Sequence, residues 1–166
     1  MRASAPVTVL VAMSESEYVQ FVERAIPAYA AQKVESGQWL LEESFKLATK
    51  SFNDLLPQGL ATPNSHFFTI MDAAQVAVGM VWIAEQKRAD KRVAYVYDVS
   101  IKPQHQRRGH ATRAFRALEV EIRAMGLSGI ALHVFGHNGS AHALYIKLGY
   151  QTTNINMYKS IEATSP

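Results

Sequence analysis

The sequence contains no cysteine, and that absence removes several classes of protein at once. No disulfide framework and no thiolate metal centre can be built, and no acyl group can be parked on a protein thiol. Long apolar runs are missing too, since no stretch approaches the roughly 20 residues that cross a bilayer. The opening segment, residues 1–12, carries Arg2 and an apolar run over 7–12. That run is too short for a secretory leader with its cleavage site, and acidic residues follow at once. A cytoplasmic protein with no membrane partner is expected. Charge of one sign is scarce: the net charge is +3, with 19% charged residues against 48% hydrophobic ones. A chain of that balance has enough apolar surface to fold, which excludes extended disorder. Its 166 residues suit one domain, 1–166, with a single sizeable core.

The charge that is present is unevenly placed. Between Lys102 and Arg116 stand five bases (Lys102, Arg107, Arg108, Arg113, Arg116) and no acid. Between Ser14 and Lys46 stand six acids (Glu15, Glu17, Glu23, Glu35, Glu42, Glu43) against three bases. Solvated helix faces account for the glutamates. The basic cluster coincides with special backbone chemistry and asks for more.

Hydrophobic spacing gives the element order. Residues 7–12 read as a short first strand. Ser14-Glu15-Ser16-Glu17 has the capping-box pattern, and Tyr18, Phe21, Val22, Ala25 and Ile26 follow at helical spacing. Pro27 is expected to kink or restart that helix. A second helix is expected over residues 40–56, stopped by Pro57 and Gly59. "HFFTIM" and "VAVGMVWIAE" read as a hairpin, and "VAYVYDVSI" as the next strand. Ala111, Ala114, Phe115, Leu118, Ile122 and Met125 then form one apolar stripe of a helix, with Arg113, Arg116 and Arg123 facing away. "GIALHVF" is a further strand, "AHALYIKL" a short helix, and "YQTTNINMYKS" a last strand. Only the final few residues look like a loose tail.

Between the fourth strand and the long helix lies "QHQRRGHATRAF". A helix start leaves backbone amides unpaired and carries about half a positive charge from the summed peptide dipoles. Gly109 permits close backbone approach, Ala111 keeps the next face small, and Arg107 and Arg108 add guanidinium groups suited to phosphate. A phosphate or diphosphate ligand is expected. The Walker pattern is absent, since no Lys-Ser/Thr follows a second glycine. The dinucleotide fingerprint is absent too, since the loop has one glycine rather than three.

"IKPQHQRRGHATRAFRALE" resembles the acetyl-CoA loop of the GNAT N-acetyltransferase superfamily, whose pattern is Gln/Arg-x-x-Gly-x-Gly/Ala. Here it is Gln106-Arg107-Arg108-Gly109-His110-Ala111. "HNGSAHALYIKLGY" resembles the family's later Asn…Ala-x-x-Leu-Tyr-x-Lys-Leu-Gly-Phe/Tyr segment. The two lie about 35 residues apart and cover roughly the last 70 residues. Ala111 stands where glycine is commoner. The first half resembles the family in element order and carries no motif for the acceptor.

The resemblance implies an α/β (α+β) fold of order β-α-α-β-β-β-α-β-α-β. Its sheet would be mixed, mostly antiparallel and six- to seven-stranded, with helices on both faces and a splay between strands 4 and 5. Residues 1–65 would carry the acceptor-side helices and 92–160 the acetyl-CoA half. The function implied is transfer of an acetyl group from acetyl-CoA to a primary amine, on a small molecule or a peptide, by direct attack in a ternary complex. In such folds the loop amides, Arg107 and Arg108 through Gly109, His110, Ala111 and Thr112, hold the diphosphate, with Gln106 in the same loop. The pantetheine arm lies along Val99 and Ile101, and Asn138 bonds to it. The Val99 amide stabilises the developing oxyanion. Tyr145 matches the family's general acid, against the plainer reading of an aromatic packing residue. For the base, Asp98 and Glu85 are both candidates, and a structural aspartate remains an equal reading of Asp98.

His133, His137 and His142 match no metal-ligand spacing and lack a carboxylate cluster, so no metal is expected. His133 is expected to be buried on the fifth strand, and His105 and His110 on the loop surface. The acidic first helices suit a cationic acceptor, with Tyr29 and Trp39 as candidate lining residues. Two rival readings use the same residues: a non-catalytic acyl-CoA-binding module, and a nucleic-acid binder. Clustering of the basic residues in one loop argues against the second. A homodimer is compatible with the sequence but not legible in it.

Overall fold

In the computed structural model, residues 7–162 are described; Arg2 and the expected tail lie outside them. Strand β1 (Thr8–Ala12) leads into helix α1 (Glu15–Glu35). Ser14 caps α1 as its pattern requires: its hydroxyl accepts from the Glu17 amide at 3.3 Å, and the Glu17 carboxylate accepts from the Ser14 amide at 2.8 Å. Pro27 does not interrupt α1, which runs unbroken through it. One missing N–H costs a single hydrogen bond, and the burial of Phe21, Ala25 and Ala30 on the inner face outweighs that loss. Helix α2 (Leu41–Leu55) follows, then a 3₁₀ turn at Gly59–Ala61.

Strands β2 (Ser65–Asp72), β3 (Ala77–Arg88) and β4 (Lys91–Ile101) form an antiparallel meander, with β1 antiparallel on the outer side of β2. A 3₁₀ turn at Pro103–His105 hands the chain to helix α3 (His110–Ala124). The crossover through α3 returns it to β5 (Ile130–Leu132), parallel to β4, and α4 (Gly139–Lys147) follows. The sheet order is β1-β2-β3-β4-β5.

Alternation along β3 distributes the core. Met80 and Trp82 pack with Phe21 and Ala25 of α1, Phe52 of α2, and Leu56 just beyond it. Val81 and Ile83 pack on the opposite face with Phe115, Leu118 and Ile122 of α3. Helices on both faces of one mixed, mostly antiparallel sheet are therefore found. The strand count is lower than expected: five, among the described residues. The missing member is the last strand. Residues 151–162 have strand-like composition but pair with nothing and are exposed throughout. A strand needs a ladder partner as well as a pattern. No helix among the described residues is long and apolar enough to cross a membrane.

Two local features position the site. The β3/β4 register slips between Trp82 and Ile83: Trp82 pairs Asp98 while Ile83 pairs Val96, so Tyr97 is an extra residue. This bulge breaks the alternation that would set Tyr97 and Asp98 on opposite faces. Tyr97 stacks on Trp82 at 4.6 Å, and Asp98, as the direct partner of Trp82, shares that face. Gly79 is the second feature. A Cβ there would lie 2.2 Å from the Ser100 carbonyl oxygen of β4, backbone that cannot swing aside. Gly79→Ala should therefore push the end of β4 outward and destabilise the fold by about 1–3 kcal/mol. A denaturant midpoint unchanged from wild type would show that the contact relaxes freely.

Candidate functional site

The pairing of β4 with β5 stops early. Ala94, Tyr95 and Val96 meet Ile130, Ala131 and Leu132, and beyond them residues 97–101 have no partner on the β5 side. The chain after Leu132 leaves the sheet, so the two strands part. A cavity of about 490 Å³ opens from that gap. It runs between Val99, Ser100 and Ile101, the loop 105–112, and the face of α4.

The loop has the geometry an anion requires. Arg107 and Gly109 both adopt left-handed backbone, at φ 58° and 77°, and Gly109 caps α3 without a side-chain hydrogen bond. Among the described residues, no protein group accepts from the amides of residues 107–112. Successive amides turned one way at a helix start make an anion cradle. The turn is braced from outside. Arg113 Nη2 donates to the Arg108 carbonyl at 2.9 Å, and its Nε donates to Thr8 Oγ1 on β1 at 2.9 Å. Gln106 Nε2 donates to the Ile101 carbonyl at 2.9 Å. Arg113 is thus half-buried and structural, contrary to the solvent-facing role its helix position suggested. No sequence signal points to a contact between positions 105 apart.

Gln106, Arg107, Gly109, His110, Ala111 and Thr112 line the cavity with Val99, Ile101, Asn138 and Tyr145. Arg108 is exposed and contributes its carbonyl to Arg113 instead. His105 and His110 are half-buried rather than on the surface. Burial, and then the charge of Arg113, hold the His110 imidazole below its ordinary pKa. Asn138 is the N-cap of α4: its Oδ1 accepts from the Ala141 amide at 3.3 Å. The same side chain lines the cavity. Ala141, Leu144 and Tyr145 follow at i+3, i+6 and i+7, the one face of α4 that lines the space. Sequence reasoning did not single out Ala141 and Leu144, although this spacing was there to be read. Ser100, Phe115 and Ser140 also line it, with no comparable signal.

Tyr145 packs edge-on against Phe115 at 5.5 Å. Burial raises its phenol pKa, and the charge of Asp98 raises it further. Asp98 itself is pushed up to about 6 by burial, which the Arg24 charge and the Val99 amide only partly offset. The Asp98 charge is therefore felt at the Tyr145 phenol. Glu85 lies elsewhere, at the hairpin end of β3, lining a separate groove with Asn64, Lys87, Asp90 and Arg92. The His66 imidazole at 3.1 Å, followed by Arg92, holds its carboxyl below the usual range. A carboxylate so paired is a poor proton acceptor near neutrality.

An aromatic cluster lies at the C-terminal end of α1. Tyr29 and Trp39 meet edge to face at 5.5 Å. The Lys33 ammonium lies over both rings and over Phe135, between 5.5 and 5.9 Å from their centroids. His133 is exposed just beyond β5, not buried within it, because the strand ends at Leu132. No cluster of three or more candidate metal ligands occurs among the described residues.

Comparison with known proteins places this geometry. Residues 30–150 match the Acetyltransferase (GNAT) family. The chain is 34% identical over 152 residues to the uncharacterized N-acetyltransferase YycN of Bacillus subtilis, covering 92% of this chain and 97% of that one. It is 30% identical over 149 residues to the uncharacterized N-acetyltransferase YdgE of the same organism, with 90% and 95% covered. The crystal structure of YycN superposes with a TM-score of 0.90, at 32% identity, over 95% of this chain and all of that one. A phosphate-ready helix start, parted strands and matching kin agree: this chain belongs to the GNAT family of acetyltransferases.

Proposed function

We propose that the chain transfers the acetyl group of acetyl-CoA to a primary amine, within a ternary complex and without an acetylated enzyme. The observation that carries this reading is the continuity of the cavity, from the unpartnered amides of residues 107–112 to Tyr145. The diphosphate of the substrate needs several donors at one end. The thioester needs an acid near its sulfur about one pantetheine length away. Residues of both kinds line the same space, and the donor set suits an anion.

In this reading the ammonium of the acceptor loses a proton to Asp98, the member of the candidate pair whose pKa lies near neutrality. The freed nitrogen lone pair forms the N–C bond, the C–S bond breaks, and the departing sulfur takes a proton from Tyr145. As Asp98 takes up that proton it gives up the Val99 amide, which then stabilises the oxyanion that forms between these steps. Glu85 is set aside as base because it is paired and opens on a different groove. With no cysteine available, mass spectrometry of protein mixed with acetyl-CoA alone should find no acetyl adduct. The acceptor class is a cationic amine, supported by the excess of acids on α1 and α2.

The test is release of free thiol from acetyl-CoA across a panel of amines. Thiol release that depends on an amine supports transfer. Tight CoA binding with no release across a broad panel would favour the binding-module reading. The cradle has its own test, because Gly109 holds a left-handed turn. An added Cβ is strained there by about 1–2 kcal/mol and would fall 2.7 Å from Arg113 Nη1. Gly109→Ala should weaken CoA binding about tenfold, read by calorimetry, through loss of amide convergence. Unchanged affinity would mean that the loop amides do not hold the diphosphate.

A further inference from the structure

Lys33 stands in the last turn of α1, where a cation complements the helix dipole. A fully solvated ammonium would serve that purpose equally well. Instead the side chain is half-buried, with its ammonium 5.6 Å from the Tyr29 centroid, 5.5 Å from Trp39 and 5.9 Å from Phe135. The rings are themselves held. Tyr29 and Trp39 meet edge to face, and Phe135 stacks on His137 at 5.4 Å.

Aromatic faces attract this cation without neutralising it. Of the three donors of an ammonium, one goes to Gln38 Oε1 at 2.8 Å. Among the described residues, no carboxylate comes within ion-pair distance of Lys33. Glu35, two residues on, pairs with His137 at 3.4 Å instead. The charge is felt beyond the rings: burial, and then Lys33, hold the His133 imidazole below its ordinary pKa. A positive charge partly withdrawn from water, fixed in place and left without a counter-charge is suited to an anion.

The cluster adjoins the proposed reaction centre on two sides. Tyr29 packs against the same core as Trp82 and Tyr97, and Tyr97 directly precedes Asp98. Across from it, the Phe135 carbonyl accepts from the Asn138 amide at 2.9 Å, and Asn138 lines the cavity. We infer that Lys33 anchors a carboxylate carried by the acceptor, so that the amine presented to Asp98 belongs to a zwitterion. This rests on the acetyl-transfer reading above and adds the acceptor's second group. A second ammonium on the acceptor would meet like charge at Lys33. One ammonium matches the single charge of a carboxylate, whereas phosphate favours guanidinium forks or converging amides.

The experiment compares kcat/KM, by thiol release, for ω-amino carboxylates of two to six carbons, each beside its amide and its aminoalkyl phosphate analogue. Wild type should favour at least one carboxylate over its amide by about tenfold or more. In Lys33→Met, which keeps an apolar stem among the rings, that ratio should fall to about one, and in Lys33→Arg it should persist. Equal rates for carboxylates and amides in wild type, or a ratio that survives in Lys33→Met, would overturn the inference while leaving amine acetylation intact. A preference for the phosphate analogue would overturn the carboxylate assignment. Binding is read separately, without turnover. The chain has two tryptophans, and Trp82, at 2% exposure, serves as the reference. Titrating ¹⁵N-labelled protein with the same carboxylates should move the Trp39 indole resonance saturably in wild type and leave it in place in Lys33→Met. A Trp39 resonance unmoved in wild type would refute the anchor. Absence of thiol release with every amine would instead refute acetyl transfer.

Discussion

Replacing Tyr145 by Phe should lower kcat about 10²-fold or more while leaving the affinity for CoA within about threefold. The ring stays, so its packing against Phe115 and Tyr150 stays; the lost group is one hydroxyl. Burial and the Asp98 charge both keep that hydroxyl protonated through the whole working range. A phenol held so high is a reluctant acid toward a thiol of pKa about 8.5. The coupling with Asp98 resolves this. In the proposed mechanism, once Asp98 accepts the proton of the ammonium its charge is gone, and the part of the rise in Tyr145 that it causes goes with it. Proton uptake at one group thus prepares proton release at the other. Variants of the two residues should be strongly non-additive. Turnover unchanged in Tyr145→Phe would remove the acid role and leave an aromatic packing residue.

Asp98→Asn should have the second large effect, and it has two signs. Activity should fall by about 10²–10⁴-fold, the range of a lost general base. In wild type, kcat/KM should rise with pH through about 6 as the carboxyl ionises, and this limb should vanish in the variant. Stability should move the other way. The folded pKa of about 6 lies above the ordinary 3.8, so between those values the folded state holds a proton that the unfolded state has released. Stability from this group is complete below 3.8 and is lost as pH rises through 6. The neutral amide escapes that loss, so the variant should be more stable at pH 8 by about 1–3 kcal/mol, with a smaller gain at pH 4. Denaturant titrations at the two pH values check this. A variant that is inactive and also less stable at pH 8 would identify Asp98 as structural.

The sequence carried more of the site than of its frame. The backbone geometry of the α3 loop was legible because it is local: a strand exit, one left-handed glycine and a helix start fit within a few residues. The capping box of α1 and the stripe of α3 were legible for the same reason. What escaped was non-local. Nothing near Arg113 announces that it braces the loop against Thr8 on β1. A bulge could be imagined beside Asp98, but its place at Tyr97 follows from the facing register of β3. Pro27 carries a local penalty that the tertiary burial of α1 overrides. The last strand failed in the opposite sense, since residues 151–162 have the pattern and the chain alone provides no partner.

The central claim is that the amides of residues 107–112 grip the diphosphate of coenzyme A. It is tested most directly by titrating ¹⁵N-labelled protein with CoA and, separately, with pantetheine, which lacks the diphosphate. CoA should shift the amide resonances of Arg107, Gly109, His110, Ala111 and Thr112 more than any others, and pantetheine should leave them in place. Saturable CoA binding that moves other amides and spares these five would contradict the account.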